Sequence, residues 1–353
     1  MILKKCGKMK SNIYKKIIFY IILIALFSVI LFIIGEFGLR LLGFTPDNPD
    51  RKDLIKVTPG GKYFMADDYL GYTHIAGKFR IFLPHNYSFI TTHDSATLRI
   101  THPEEMNNSY ASKEKIWIFG CSCTHGWSIN DWETYPWRLQ EKCREYEIIN
   151  YGVSGYGTIH SLLLLQRDLK KKIKPRIVIL AYASMHDARN TLSASRRKAA
   201  TAYNFLGTIV QPYAELTKNA RLIIHKPCNV TYHRPPFNTK SALIHFIERA
   251  FNALQARFSD SHTVTKAIIE EMNRLCIQNH ITFIVAGINN DKRTTEMLSY
   301  CNNMKILTVD ISIDNKSGKY TNEPYDPHPN ALANHIYADK IFKFLTTHRL
   351  LFQ

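Results

Sequence analysis

The first 35 residues of this 353-residue chain contain no acidic side chain. Residues 17–34 lack basic side chains as well, so eighteen residues in a row are uncharged. As a helix, this run would be roughly 27 Å long, which nearly matches the roughly 30 Å hydrocarbon core of a membrane. A cleaved signal peptide has a shorter apolar region and a small-residue cleavage site, and neither is found here. We therefore expect an uncleaved transmembrane anchor over residues 17–35.

Six lysines precede the apolar run and set its expected orientation in the membrane. They are Lys4, Lys5, Lys8, Lys10, Lys15 and Lys16. Because loops rich in positive charge stay in the cytoplasm, residues 1–16 are predicted to form a cytoplasmic basic tail. The chain is then a single-pass protein of the cell inner membrane. Everything after about residue 35 would lie in the periplasm or outside the cell.

The exported part lacks internal repeats, low-complexity tracts and a regular cysteine pattern. Although the whole chain has a net charge of +17, it has no dense basic run interleaved with aromatic residues. This argues against nucleic acid as a partner. The seven cysteines are odd in number and irregular in spacing, so no specific disulfide is predicted.

Apolar, β-favouring runs alternate with helical segments in the second half of the chain. The runs are 115–121, 146–151, 176–183, 281–287 and 305–311. The helical segments lie near 132–145, 158–172, 263–279, 293–302 and 330–346. Such alternation predicts an α/β fold of three layers, in which a five-stranded parallel sheet of the flavodoxin-like type carries helices on both faces.

The segments outside this alternation of strands and helices make up the rest of the predicted domain layout. Residues 36–112 are predicted to be a linker and a small N-terminal extension, with short β pieces at 78–83 and 96–101. The main domain covers 113–350. Within it, residues 188–262 are expected to form a partly helical insertion over the active-site edge, because long structureless loops are rare in compact domains.

Polar residues follow the predicted strands and precede the last helix. Ser122 follows the first strand, Gly155 the second and His186 the third. Asp326 and His328 come just before the last helix. Because ligands bind outside the carboxyl ends of parallel strands, these residues should meet at one cleft. A serine nucleophile needs a base, a group that orients the base and donors for an oxyanion, and this set can supply them.

The order and spacing of these segments resemble the SGNH (GDSL) hydrolase family of serine esterases over about residues 113–347. The resemblance rests on Phe119-Gly-Cys-Ser-Cys-Thr-His-Gly126 with Asn130-Asp131 and Tyr135-Pro136, on Asn150 to Gly157, and on Asp326-Pro-His-Pro-Asn330. It implies that Ser122 is the nucleophile and that His328 is the base, oriented by Asp326. It also implies that the Ser122 and Gly155 amides are oxyanion donors. The anchor followed by Glu36-Phe-Gly-Leu-Arg-Leu-Leu-Gly43 looks like bacterial membrane-anchored members that act on envelope glycans.

Two positions depart from the family pattern. The family's Gly-Asp-Ser reads Gly120-Cys121-Ser122, and the third-block asparagine, an oxyanion donor, falls on His186. An imidazole N–H can also donate to an oxyanion, so His186 is the third expected donor. The same two losses leave a catalytically weak, glycan-binding protein as an alternative.

Cys121, Cys123 and His125 suggest two other kinds of site. With His328 or His186 they would supply four zinc ligands, but their spacing matches none of the common zinc patterns. A thiol nucleophile at Cys121 or Cys123 would require the base to reach a residue beside the aligned serine. No metal and no cofactor are therefore predicted. Three further histidines are expected in the core or on the surface rather than as ligands: His93, His102 and His160.

The sequence thus predicts a membrane-anchored serine esterase that removes O-acyl groups, foremost O-acetyl, from an envelope or secreted polysaccharide. Its partners would be the acylated glycan or a small ester, and the membrane through the N-terminal helix; no oligomeric state is predicted. An O-acyltransferase remains open, because it shares the triad and differs only in how residues 188–262 exclude water. The side chains of Trp127, Trp132 and Trp137 offer either a sugar-stacking face or packing against the sheet.

Overall fold

The computed structural model describes residues 2–49, 54–314 and 318–351, with side chains from residue 14 onward. Its α-helices, in chain order, are α1 (Ile2–Leu41), α2 (Asn107–Tyr110), α3 (Ser122–His125), α4 (Tyr135–Lys142), α5 (Thr158–Asp168), α6 (His186–Asn190), α7 (Ala194–Ala202), α8 (Ala242–Arg257), α9 (Ser261–Gln278), α10 (Lys292–Asn303) and α11 (Ala331–Thr347). Its strands are β1 (Lys56–Thr58), β2 (Phe64–Asp67), β3 (Gly71–His74), β4 (Gly77–Leu83), β5 (Tyr87–His93), β6 (Glu114–Gly120), β7 (Tyr146–Gly152), β8 (Ile177–Tyr182), β9 (Val210–Leu216), β10 (Leu222–Asn229), β11 (Thr282–Gly287), β12 (Leu307–Asp310), β13 (Thr321–Asn322) and β14 (Asp326–Pro329). These residues form two compact units, one of residues 2–49 and 233–255 and one of residues 54–232 and 256–351.

The first unit contains the long N-terminal helix α1 and nearly all of α8. Within the described residues, Tyr14–Leu41 is the one stretch long and apolar enough to cross a membrane by length and composition. The helix ends at Leu41, and Gly43 follows with a φ of +84° that lets the Phe44 N–H donate to the Leu39 carbonyl at 2.9 Å. This is the hydrogen bond that closes a helix at a left-handed glycine. The apolar N-terminal helix expected from the sequence is therefore present.

The central sheet of the second unit has five parallel strands among the described residues, in the order β12-β11-β8-β6-β7. Numbered along the chain and read from the β7 edge, the order is 2-1-3-4-5, which is that of flavodoxin-like folds. All five predicted strands lie in this sheet, and each predicted end agrees with the structure within two residues. The predicted α/β fold is confirmed.

Two hydrophobic cores cover the two faces of this sheet. On β6, Ile116 and Ile118 point into one core, which also contains side chains of α4 and α11. The alternate residues Trp117 and Phe119 belong to the other core, with side chains of α5, α9 and α10. Side chains alternate between the faces of a strand, so β6 is buried on both sides and the fold has three layers.

The segment before the sheet contains β1 to β5. The predicted strand at 78–83 is confirmed as β4. The prediction for 96–101 is wrong, because only isolated bridges occur there, at Arg99. The reason is a tight turn, in which the Thr97 amide donates to the Asp94 carbonyl and Thr97 has a φ of +67°. This turn leaves too few extended residues for a strand.

Residues 188–262 contain helices, as expected, and also a hairpin that the sequence did not predict. The helices include α7 and α8. The hairpin pairs β9 with β10 in antiparallel register. Its turn closes between Thr217 and Arg221, whose carbonyl accepts from the Thr217 amide at 2.9 Å.

Candidate active site

The serine predicted as nucleophile begins the four-residue helix α3, directly after β6. The connection is tight, because a Cβ on Gly120 would lie only 2.0 Å from Thr124 Oγ1. Gly126, at a φ of +84°, ends the helix by donating to the Ser122 carbonyl at 2.9 Å. Strand, turn and short helix therefore hold Ser122 at the carboxyl end of the sheet, where ligands bind in such folds.

A chain of hydrogen bonds joins the three residues predicted to be catalytic. Ser122 Oγ lies 2.9 Å from His328 Nε2, and His328 Nδ1 lies 2.6 Å from Asp326 Oδ1. The His328 amide also donates to Asp326 Oδ1, at 2.8 Å. The fold brings Ser122 and His328 together across 206 positions of sequence. This is the arrangement that a Ser-His-Asp mechanism requires.

Asp326 also accepts a hydrogen bond from a second residue, which the sequence did not reveal. Trp127 Nε1 donates to Asp326 Oδ2 at 3.2 Å. Burial alone would raise the pKa of Asp326, but hydrogen bonds from His328 and Trp127 outweigh it, so that this pKa is lowered. The carboxylate therefore stays charged and can orient the His328 ring. The Trp127 ring packs against that of Tyr63, which lies in the N-terminal extension rather than in the central sheet. A sugar-stacking role of Trp127 stays a prediction.

Three side chains hold the loop 153–157, which follows β7, by donating hydrogen bonds to its carbonyl groups. The three contacts are Tyr72 Oη to Ser154 O at 2.9 Å, Arg196 Nη2 to Gly155 O at 2.9 Å and Arg189 Nη1 to Tyr156 O at 2.8 Å. Gly155 has a φ of +87°, and a Cβ on it would lie 2.5 Å from Tyr72 Oη, so this position takes only glycine. Within the described residues, neither the Gly155 nor the Ser122 amide has a hydrogen-bond partner. Both N–H groups are thus available to an oxyanion.

The two departures from the family pattern are neighbours in the fold. His186 is fully buried, and its Nδ1 lies 3.2 Å from Thr158 Oγ1. A hydrogen bond from Cys123, followed by the His186 imidazole, outweighs burial and holds the pKa of the Cys121 thiol well below its usual range. Among the described residues, the cavity at Ser122 is not lined by His186. The role of His186 as an oxyanion donor therefore stays a prediction.

A cavity of about 240 Å³ opens at Ser122 and is also lined by Gly155, Asp326 and His328. Most of the remaining wall is apolar, and includes Ile55, Phe64, Trp127, Tyr203, Leu206 and Ile209. Two arginines, Arg189 and Arg196, also line it. The basic run at 196–198 was visible in the sequence, but nothing there marks either arginine as part of this cavity.

Three buried histidines form the one group of possible metal ligands found among the described residues. Ring nitrogens of His74, His93 and His125 lie within 4.8 Å of one another. The His74 and His93 rings, however, are stacked with 3° between their planes, so their in-plane lone pairs lie in separate, parallel planes and do not converge on one ion. The rings instead form a polar cluster with Tyr63, whose Oη lies 3.2 Å from His125 Nε2. The cysteine-based zinc site considered from the sequence is not assembled in the described part of the chain.

No protein-family model and no curated protein matches the chain. Among solved structures, it is similar to a lipolytic protein of the G-D-S-L family from Desulfitobacterium hafniense, with 13% identity, 65% of this chain and 99% of that chain covered, and a TM-score of 0.39. It is similar to AlinE4, an esterase of the SGNH-hydrolase family, with 12% identity, coverages of 68% and 94%, and a TM-score of 0.35. It is also similar to SsfX3, a salicylyl-acyltransferase from a tetracycline biosynthetic pathway, with 10% identity, coverages of 68% and 56%, and a TM-score of 0.38. The fold assignment rests on the strand order described above.

Proposed function

We propose that this chain is a serine hydrolase of SGNH type that cleaves ester bonds. One observation carries the proposal: the hydrogen bonds of 2.9 and 2.6 Å that connect Ser122 Oγ through His328 to Asp326. They occur at a cavity where two unpartnered amide groups are available, those of Ser122 and Gly155. A nucleophile, a base, an orienting carboxylate and oxyanion donors are the parts that acyl transfer by serine needs.

In the proposed mechanism, His328 Nε2 accepts the Ser122 proton while Oγ attacks the ester carbonyl. The amides of Ser122 and Gly155 bind the oxyanion of the tetrahedral intermediate. The protonated His328, stabilised by the Asp326 carboxylate, then gives its proton to the leaving alkoxide. Water, deprotonated by His328 in the same way, attacks the acyl-enzyme and releases the acid.

The proposed substrate is an O-acylated, foremost O-acetylated, polysaccharide of the envelope or a secreted one. A cavity of about 240 Å³ suits a short acyl group, because sites for larger ligands start near 300 Å³.

We place the protein in the inner membrane, with residues 1–16 in the cytoplasm. The support for this placement is the apolar stretch Tyr14–Leu41 and the lysines that precede it.

An O-acyltransferase is the second candidate. Ser122 is only 5% exposed, and most of its cavity wall is apolar. A site that keeps water from the acyl-enzyme favours transfer of the acyl group to a bound hydroxyl. Comparing free acid released with acyl sugar formed, in the presence of an oligosaccharide acceptor, separates the two activities.

The test is release of p-nitrophenol from its acetate ester by the full chain in detergent micelles. We expect Ser122→Ala and His328→Ala to lose activity by about a thousandfold or more, because each removes a member of a unit that acts together. Ser95→Ala and His335→Ala are the matched controls, since both residues are exposed and lie outside the cavity.

Circular dichroism must show that all four variants are folded. Equal residual rates for wild type, Ser122→Ala and His328→Ala would refute hydrolysis of this ester by the proposed serine. Activity lost in Ser122→Ala but kept in His328→Ala would instead show that another group acts as the base.

A further inference from the structure

Helix α8 has its polar side turned inward and its apolar side turned outward. Glu248, on the inner side, is 5% exposed and accepts a hydrogen bond from Asn238 Nδ2 at 3.0 Å. On the outer side, the exposed fractions are 56% for Ile247, 66% for Phe251 and 53% for Leu254. A surface helix of a water-soluble protein shows the opposite arrangement.

The exposed apolar residues of α8 form one continuous stripe. Phe246, Ile247, Ala250, Phe251 and Leu254 are all exposed and are spaced at i, i+1, i+4, i+5 and i+8. With 3.6 residues per turn, these positions share one side of the helix. Such a concentration of large apolar side chains marks a surface that another apolar phase covers.

The start of α8 is fixed to the end of the apolar stretch of α1. The Glu36 carboxylate accepts hydrogen bonds from the α8 amides of Ala242 and Leu243, at 3.0 and 2.9 Å, and from Ser241 Oγ at 2.7 Å. Arg40 Nη2 donates to the Lys240 carbonyl at 2.9 Å. A carboxylate on the first turn of a helix satisfies its free amides and interacts favourably with its dipole. The link holds the start of α8 near the place where Tyr14–Leu41 ends.

We propose that α8 is a second membrane contact, an interfacial helix that lies in the headgroup region with its apolar stripe in the acyl chains. The inference rests on the proposed anchoring by α1. A helix tied to the end of a membrane span, with a polar side bound to protein and an apolar side free, meets the bilayer where apolar residues can insert by a few ångströms. The exposed Lys240, just before the start of α8, suits anionic headgroups.

The test measures lipid contact residue by residue in the full chain, reconstituted in vesicles of phosphatidylcholine and phosphatidylglycerol. An environment-sensitive NBD label is attached to one introduced cysteine at a time, in a background with Cys6 and Cys228 changed to serine. The five cysteines that remain are buried. We expect the label in Phe251→Cys to emit at shorter wavelength and to be strongly quenched by lipids that carry a nitroxide on the acyl chain. The label in Arg249→Cys, on the other side of α8, should emit as in water and escape quenching.

A third label, in Phe27→Cys within α1, separates failure of this inference from failure of the anchor. If it is quenched while the position 251 label is not, α1 is in the membrane and the proposal for α8 is overturned. If neither is quenched, the anchoring itself is refuted. Energy transfer between labelled copies at position 251, without lipid quenching, would show that a second copy covers the stripe and would also overturn the proposal.

A second, independent observation concerns the two arginines of the active-site cavity. Arg196 is 9% exposed, and its bonds go to neutral partners, Gln211 Oε1 and the Gly155 carbonyl, both at 2.9 Å. Arg189 likewise donates to the Tyr156 carbonyl. Neither forms an ion pair with a carboxylate of the described residues. A buried cation without a counter-charge is costly, as reflected in the pKa of Arg196, which burial lowers to about 10.

Arg196 is also close to the reacting groups. A Cβ built on Gly155 would lie 3.1 Å from Arg196 Nη2, so the guanidinium lies beside a glycine that lines the cavity. Arg189 and Arg196 line the same cavity as Ser122. A guanidinium presents five donors in a fixed plane, of which the observed contacts use only a part.

The geometry points to a substrate that carries an anionic oxygen group, a carboxylate or a phosphate, next to the ester that Ser122 attacks. Paired guanidinium groups bind such anions with charge-assisted hydrogen bonds. This inference refines the proposed esterase and rests on it. The Ser122→Ala protein allows the anion site to be tested without catalysis.

The kinetic test compares p-nitrophenyl acetate with the mono-p-nitrophenyl ester of succinate. The quantity compared is the kcat/KM for the anionic ester divided by the kcat/KM for the neutral ester. We expect Arg189→Met to lower this ratio by about tenfold or more, because it removes one charge-assisted hydrogen bond to the anion. Arg196→Lys keeps the charge and should lower the ratio less than Arg196→Met. Arg197→Met, an exposed neighbour on α7, is the matched control.

Calorimetry of the Ser122→Ala protein with succinate and with inorganic phosphate distinguishes the two anions. Binding that Arg189→Met removes supports the anion site even if no ester is hydrolysed, in which case only the proposed esterase fails. Equal losses for both esters in Arg189→Met and Arg196→Met, with no anion binding, would show that the arginines act on the loop 153–157 alone and would overturn the inference.

Discussion

Gly155 has the backbone conformation and the neighbours that only a glycine tolerates. We expect Gly155→Ala to lower kcat on p-nitrophenyl acetate by about 10² to 10³, the range for loss of one oxyanion donor. The reason is that a φ of +87° disfavours a side chain and that the new Cβ would lie 2.5 Å from Tyr72 Oη. Relief of this contact forces the loop, and its amide, away from Ser122.

The double variant Gly155→Ala with Tyr72→Phe tests this cause, because it removes the clashing hydroxyl while the strained φ remains. Part of the lost kcat should return. Gly77→Ala is the control, since Gly77 also has a positive φ, of +125°, but its Cβ would meet nothing closer than 3.8 Å. An unchanged kcat in Gly155→Ala would contradict the assignment of this amide to the oxyanion.

In the sequence, Cys121 and His186 are two separate departures from the family pattern. In the structure their side chains are neighbours. The His186 imidazole contributes to the lowered pKa of the Cys121 thiol. We expect Cys121→Ala and His186→Ala to be non-additive in the free energy of unfolding, with a coupling of about 0.5 to 3 kcal/mol. Urea denaturation of the two single variants and the double variant measures it, and a coupling near zero would mean that the two replacements are unrelated.

At the scale of elements, one buried arginine connects the N-terminal extension to the turn after Ser122. Arg99 is 1% exposed and forms an ion pair with Asp131 at 2.9 Å. Its other donors reach the carbonyls of His125, Gly126 and Ile129. The arginine thus fixes the backbone from α3 to the segment before α4.

Removal of this cation should destabilise the fold strongly. We expect Arg99→Met to lower the free energy of unfolding by about 3 to 5 kcal/mol, because it leaves the Asp131 carboxylate buried and uncompensated. Arg99→Lys keeps the charge but cannot reach several carbonyls at once, so its loss should be smaller. Arg138→Met, which removes an exposed ion pair with Glu141, is the control and should change stability by less than about 1 kcal/mol. A similar, small loss in all three variants would refute the anchoring role of Arg99.

The five strands of the sheet were predictable because each is a continuous apolar run that ends at turn residues, a pattern set by burial on both faces. The hairpin β9–β10 was not, since Pro212 interrupts its first strand and its residues are only partly buried. For α8, the apolar spacing is visible in the sequence, but spacing alone does not tell which side faces the protein. The burial of Glu248 identifies the inner side, and the Glu36 carboxylate holds the start of α8 through contacts between residues more than 200 positions apart.

The residues of the candidate site were likewise predictable only where a local sequence motif marks them. Ser122, Asp326 and His328 could be found because each lies in a motif at a strand or helix end. Trp127 and the two cavity arginines could not, because their roles depend on contacts between distant segments. Local residue patterns predict the triad, whereas the residues that contact it are found only in the folded chain.

At the scale of the whole molecule, several histidines are buried in the neutral form. Burial lowers the pKa of His93 to about 3, and holds the pKa values of His74, His125 and His160 well below the usual range. The positive charge of Arg99 further lowers the pKa values of His93, His74 and His125. In the unfolded chain, each of these histidines would titrate near pH 6.5. The unfolded state therefore binds more protons than the folded state below that pH.

We expect the stability of the full chain in detergent micelles to be constant near pH 7 and to fall steeply as the pH drops below about 6.5. The sign follows from the lowered pKa values, since protons then favour the unfolded state. At pH 5, each buried histidine should cost about 2 kcal/mol, before the carboxylates begin to titrate. Urea denaturation between pH 7.5 and pH 5 measures how the free energy of unfolding changes with pH, and the slope gives the number of protons taken up on unfolding. That number should fall by one in His93→Gln. A stability that is flat from pH 7.5 to pH 5 would mean that the buried histidines accept protons in the folded state, and therefore that the cluster is open to water.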